Sequence, residues 1–232
     1  MKSIWRLMPA FLLAASFLPA ATIIAAVDGP VPNSLQLNLP GSSVIGAGVV
    51  SWTQTSTYTE VNISAYIFAE LPPGGAQEQY KAYLTNAIGP GTTAANNVTG
   101  PVTGTAGTYV DPAPGSPTQL FSGLTLGPGT YYLVIQSLNN SPGGLLWESK
   151  AGLVPVVGAG VTAGPMSYAT SDNAYGSLDS SFAPASVFPV LGANGTVMFS
   201  VTSDAPAPEP GTFVLCGLGC LGLGLLRRRK AA

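Results

Sequence analysis

The chain has no histidine, and its two cysteines, Cys216 and Cys220, both lie in an apolar segment near the C-terminus. Without histidine there is no Ser-His-Asp or Cys-His device, and the commonest ligand for transition metals is missing. The long middle of the chain has no cysteine and so no disulfide; a domain of that length buries enough apolar surface to need none. Charge is scarce as well: Asp, Glu, Lys and Arg make up 8% of residues, against roughly 25% in an average soluble domain. Between Val27 and Pro208 the bases are Lys81 and Lys150 alone, against nine acids, a formal net of −7. Such a surface repels nucleic acid, which binds through a basic footprint, and that excludes it as a partner.

What the chain has in quantity is glycine (29), proline (21) and apolar residues (46%, with nine tyrosines). Many turn formers with little charge fit an all-β domain, and the apolar content separates the chain from disordered ones. Short alternating runs point the same way. Val61, Ile63, Ala65 and Ile67 fall on one face of a period-2 strand, as do Val197, Phe199 and Val201. Leu120–Leu126 and Thr130–Ser137 flank Gly127-Pro128-Gly129 and predict a hairpin, with proline and glycine at the central positions of a type II turn. Its second arm, rich in aromatic and β-branched residues, reads as a central strand. Gly89-Pro90-Gly91-Thr92 repeats the turn sequence and reads as the same turn type reused. Further strands are expected near Leu35–Leu39, Val49–Thr53, Lys81–Ile88, Leu145–Ser149 and Val187–Leu191, and a long polar loop from Asn96 to Pro117. The expected fold is all-β, an antiparallel β-sandwich of jelly-roll or Ig-like type.

The two ends have a different character. Lys2 and Arg6 precede the apolar stretch Met8–Leu18, with small residues at Ala20-Ala21 and Ala25-Ala26. That order predicts a cleavable signal peptide over residues 1–26, cut near Ala26; the stretch is shorter than the ~20 residues of a membrane span. Residues 27–203 would then be the exported domain. Residues 204–211 form a Pro-rich linker, which resists helix formation and stays extended. The apolar segment from Thr212 to Leu226 can enter a bilayer, and Arg227, Arg228, Arg229 and Lys230 would stop transfer and stay on the cytoplasmic side. Together 212–230 predict a single short C-terminal transmembrane helix. As helix, Thr212–Leu226 rises about 22 Å, against a hydrocarbon core of about 30 Å, which suits a temporary anchor. Cys216 and Cys220 share one helical face, but two thiolates cannot close a tetrahedral metal site.

Chemistry in the middle of the chain is thin. Glu60, Glu70, Glu78 and Glu148 could pair for glycoside hydrolysis, yet no spacing selects a pair, and each reads as a solvated surface acid. Lys81 and Lys150 lie in no serine–lysine motif. Asp172, Asn173 and Asp179 are weak calcium candidates, with an Asx-turn as the default. No cofactor is expected. Asn62, Asn97, Asn139 and Asn194 open glycosylation sequons, which a Ser/Thr/Asn-rich composition produces by chance. Trp52, Trp147 and the tyrosines would serve either as core or as a sugar-stacking face.

Pro208-Glu209-Pro210, the apolar segment after it and the terminal Arg227-Arg228-Arg229 resemble the PEP-CTERM sorting domain, over residues 207–230. Proteins with that domain occur in Gram-negative bacteria that make extracellular polysaccharide. The resemblance implies an exosortase, an integral-membrane transpeptidase-like enzyme, as the processing partner near the Pro-Glu-Pro motif. The protein would be anchored briefly in the inner membrane and then released to the cell surface or beyond. The expectation is therefore a non-catalytic surface or extracellular-matrix protein associated with exopolysaccharide or biofilm. The alternative is a lectin-like carbohydrate-binding module, with or without calcium.

Overall fold

The structure is a computed structural model that describes residues 21–28, 33–37, 45–70, 78–108, 116–138, 144–150, 152–171, 183–184 and 196–205. These residues are nearly all strand. In chain order come β1 (Ala21–Ala26), β2 (Asn33–Gln36), β3 (Ile45–Gln54), β4 (Tyr58–Ala65), β5 (Ile67–Glu70), β6 (Gln79–Thr85), β7 (Val102–Thr105) and β8 (Gly107–Thr108). There follow β9 (Thr118–Leu126), β10 (Gly129–Ser137), β11 (Gly144–Lys150), β12 (Val156–Val157) and β13 (Val161–Ala163). The last four are β14 (Ser167–Ser171), β15 (Ala183–Pro184), β16 (Thr196–Val197) and β17 (Phe199–Ala205). A 3-10 turn at Ala94–Asn96 is the only helical element among the described residues.

The strands form three sheets. Sheet I has the order β12-β1-β17-β4-β9, sheet II β15-β14-β3-β10-β6-β7 with β13 also on β3, and sheet III β16-β11-β5-β8 with β2 on β11. All pairs are antiparallel except β5 with β8. One buried cluster draws on all three sheets: Ile24, Ile63 and Phe199 from I, Trp52, Leu84 and Leu133 from II, Ile67, Leu145 and Trp147 from III. Each such side chain, taken fully out of water, contributes about 1.5–3 kcal/mol before its ordering cost. This is the all-β antiparallel architecture that the alternating runs predict.

Two of the runs expected as continuous strands each divide between sheets. The alternation from Val61 to Ile67 is real, and all four residues are fully buried. The chain nevertheless leaves sheet I after Ala65 and enters sheet III at Ile67. The run near Val197 does the reverse, from sheet III to sheet I, through Met198. The two breaks meet. Tyr66 N donates to Met198 O at 3.2 Å, Met198 N to Glu148 O at 2.7 Å and Glu148 N to Tyr66 O at 2.9 Å. Trp147 Nε1 adds a second bond to Met198 O at 2.9 Å. So β4 and β17, paired with each other, part at this junction, and β5 and β16 lie end to end along one edge of β11.

The expected hairpin does not form. β9 pairs with β4 in sheet I, and β10 pairs with β3 and β6 in sheet II. Gly127-Pro128-Gly129 therefore carries the chain from one sheet to the other. Buried Gln54 holds this corner: its Nε2 donates to Leu126 O and Gly127 O at 3.0 Å each, and to Ser56 O at 3.1 Å. Tyr131 Oη also donates to Gly127 O, at 2.8 Å. These contacts satisfy carbonyls that a hairpin ladder would have used. Gly89–Thr92, by contrast, closes as a type II turn, with Thr92 N donating to Gly89 O at 3.1 Å and Gly91 at φ 90°. One sequence serves two geometries.

Other expectations meet the structure unevenly. The Lys81–Ile88 stretch is strand as far as Thr85. The expected loop from Asn96 holds β7, which pairs with β6, and β8. Leu35–Leu39 overlaps β2, and Val187–Leu191 lies outside the described residues. The expected boundary at Ala26 falls at the end of β1, an interior strand of sheet I. β9, at the other edge of sheet I, is bulged against β4, with Glu60 at φ 50° and Gly123 at φ 65°. Bulges of this kind twist an edge away from stray pairing.

Candidate functional site

Sheet II is apolar on both faces, because successive side chains of a strand point to opposite sides. On β10, Tyr131, Leu133 and Ile135 enter the main core, while Tyr132 and Val134 belong to a separate cluster on the other face. On β3, Val50 and Trp52 point inward and Ala47 and Val49 outward; on β6, Ala82 and Leu84 point inward and Tyr83 outward. The outward cluster has Ala47, Val49 and Val134 as a buried floor, with half-buried Tyr83, Tyr132 and Ile88 against it.

Register places the two tyrosines together. Tyr83 faces Val134 and Tyr132 faces Thr85, so the rings are diagonal neighbours across β6 and β10, a spacing that aromatic side chains can bridge. Lys81 Nζ stands 5.1 Å from the Tyr83 ring centroid, a cation–π contact of about 0.5–1 kcal/mol where exposed. The loop that carries Ile88 is pinned beside them. Thr85 Oγ1 lies 2.9 Å from both Ala87 O and Asn96 O, and Val98 N donates to Leu84 O at 2.8 Å. The result is two phenol rings and an ammonium group above an apolar floor. Ring faces of this kind pack on the C–H face of a sugar, and phenol and ammonium groups can bond its hydroxyl or acid groups.

The inward face is packed against itself. Trp52 and Tyr131 stack with centroids 5.6 Å apart and 27° between planes, and Trp52 Nε1 donates to Gln54 Oε1 at 3.1 Å. Trp52 and Trp147 are both fully buried, so these two tryptophans are core and not a stacking face. Burial raises the pKa of Tyr80 and of Tyr131, the latter opposed by its bond to Gly127 O. Tyr66 is raised by burial first and by the Glu148 carboxylate second.

The acids divide. Glu60 is exposed, but Glu78 and Glu148, expected to be solvated, are 0% and 2% exposed. Both are drawn in by the strands that flank them: Ala106 N donates to Glu78 O, and Glu148 sits at the junction of sheets I and III. Glu70 ends β5 in sheet III. Lys150 pairs with Asp28, tying β11 to the chain just after β1. Lys81 stands over the Tyr83 ring. Of the sequons, Asn62 lies within β4 and Asn97 bridges to Thr85; Asn139 and Asn194 lie outside the described residues. So do Asp172, Asn173 and Asp179, the motif Pro208, Glu209 and Pro210, Cys216 and Cys220, and Arg227, Arg228, Arg229 and Lys230. Among the described residues no group of acids or cysteines could hold a metal, and no helix is long and apolar enough to cross a membrane.

No family model matches the chain, and no curated protein matches it either. Among the tyrosines expected as core or as a stacking face, local pattern does not separate the outward pair, Tyr83 and Tyr132, from the rest. In Tyr131-Tyr132-Leu133-Val134-Ile135 every position is apolar or aromatic, so alternation is invisible there. The signal lay across the sheet, in Lys81 and Tyr83 of β6, where a charged residue marks the outward parity.

Proposed function

We propose that this chain is a non-catalytic exported protein of the cell surface or extracellular matrix, sorted and processed by an exosortase and associated with exopolysaccharide or biofilm. Its middle is an antiparallel β-sandwich, preceded by a cleavable signal peptide and followed by a short transmembrane helix that holds it briefly in the inner membrane. The observation that carries this reading is the order of the tail: Pro208-Glu209-Pro210, then Thr212–Leu226, then Arg227 to Lys230. In physical terms these are an extended peptide for a cutting enzyme, an apolar span and a basic stop. The fold gives it support. β17 ends at Ala205, shortly before the motif, and Ala21 pairs with Ser203. Ala21, the first residue of β1, and Ala205, the last of β17, thus lie at the same end of sheet I, an arrangement compatible with one membrane serving both ends of the domain.

Intact-mass analysis of the protein from its native cell envelope tests the reading. The expected product has lost the tail beyond the Pro-Glu-Pro motif; a mature form still ending in Arg227-Arg228-Arg229-Lys230-Ala231-Ala232 would refute it. The outward face of sheet II favours a second reading, a lectin-like module for which Tyr83, Tyr132 and Lys81 form the platform. A glycan array with and without chelator, run beside Tyr83→Ala and Tyr132→Ala, decides it. Binding that ignores both substitutions, or silence on every glycan, counts against it.

A further inference from the structure

We infer that the export leader is cut at the Ala20–Ala21 bond, ahead of β1, and that residues 21–26 stay in the mature protein as an interior strand of sheet I. This rests on the export reading above and chooses between the two small-residue pairs, Ala20-Ala21 and Ala25-Ala26, that the sequence offers a leader peptidase. β1 has neighbours on both sides. It pairs with β17 from Ala21 against Ser203 to Ala26 against Phe199, and with β12 at Ile24 and Ala25. Ile23, Ile24 and Ala26 are fully buried, whereas Val27, the next residue, is 46% exposed.

The backbone of β1 is also closed in. Gly158 N donates to Ile23 O at 2.8 Å, and a Cβ at Gly158 would come within 2.5 Å of Thr22 O. Val156, Val157 and Gly158 are therefore seated on β1 and would lose these bonds without it. A cut after Ala26 would remove two isoleucines from the core and one of the two ladders of β17. It would turn β17 from an interior strand into an open edge of unpaired N–H and C=O groups. A cut at Ala20 removes nothing from the described core, because burial starts at Ile23, two residues inside the new end. In the step itself the amide C–N bond between Ala20 and Ala21 breaks. The oxygen of water joins the Ala20 carbonyl carbon as a carboxyl group, and the proton goes to the Ala21 nitrogen, which leaves as the new amino terminus.

The test is N-terminal sequencing and intact mass of the exported product of the full chain made in a Gram-negative host. A product that begins at Ala21 is expected. One that begins at Val27 overturns the inference while leaving export intact; a cytosolic product that keeps Met1 overturns export and the inference together. Ala20→Gln, outside the described core, gives a second readout. It should abolish the Ala21 product and leave the leader attached, and continued release of a product beginning at Val27 would again sink the idea.

Discussion

Tyr131 and Tyr132 are neighbours in the chain and live in opposite surroundings, one stacked on Trp52 in the core and the other half-buried on the outward face of sheet II. The contrast extends across three strands. Inward, the aromatic rings are locked by a stack, by Gln54 and by the corner at Gly127. Outward, Tyr83 and Tyr132 rest on small aliphatic side chains and have Lys81 as a charged neighbour. The same residue type is thus locked in the core on one side and half-buried over an aliphatic floor on the other. Composition cannot tell the two apart; parity does.

If this division holds, Trp52→Ala should be the costliest change, at about 3–5 kcal/mol in urea unfolding, since it empties a core site and strands Gln54. A loss under about 1 kcal/mol would mean that the stack is not part of the core. Gln54→Ala should cost about 1–3 kcal/mol, because it leaves the indole N–H and the carbonyls at Leu126 and Gly127 short of partners. Alkaline unfolding should come next. Tyr80, Tyr131 and Tyr66 have folded pKa values raised above 10.0. The unfolded chain therefore gives up those protons first, and stability, full below pH 10.0, should fall as pH rises from there toward the folded values. Tyr80→Phe should flatten that slope in a pH series of melting curves; an unchanged slope would show that its burial plays no part. Smallest of all, Tyr83→Ala and Tyr132→Ala should each cost about 1 kcal/mol or less, and a cost equal to that of Trp52→Ala would erase the contrast.

Much of the fold was legible because its signals are local. The alternation from Val61 to Ile67 and the β-branched second arm after Gly129 are read directly as strands, and strands they are. What local pattern does not carry is which sheet a strand joins. Gly127-Pro128-Gly129 looks like a hairpin turn, but whether its flanks pair depends on Gln54, dozens of residues away, capturing the corner carbonyls. The break at Tyr66 leaves the burial alternation of Val61–Ile67 intact, whereas at Met198 the alternation fails, with Val197, Met198 and Phe199 all buried. Glu78 and Glu148 were hidden for the reverse reason, since an acid ordinarily signals solvent. The candidate site was less legible still: Lys81 fixes its parity, yet its members come from three strands that meet only in the sheet.

The junction at Tyr66 and Met198 also bears on how the molecule carries load. β17 is gripped lengthwise by β1 on one side and β4 on the other, and at its far end Met198 is bonded to Tyr66, Trp147 and Glu148. Tension applied at Ala205 along the strand would strain these ladders in shear, all their bonds at once, where a strand peeled sideways would yield one bond at a time. A domain tethered through its C-terminal strand would in this way be held by its strongest direction.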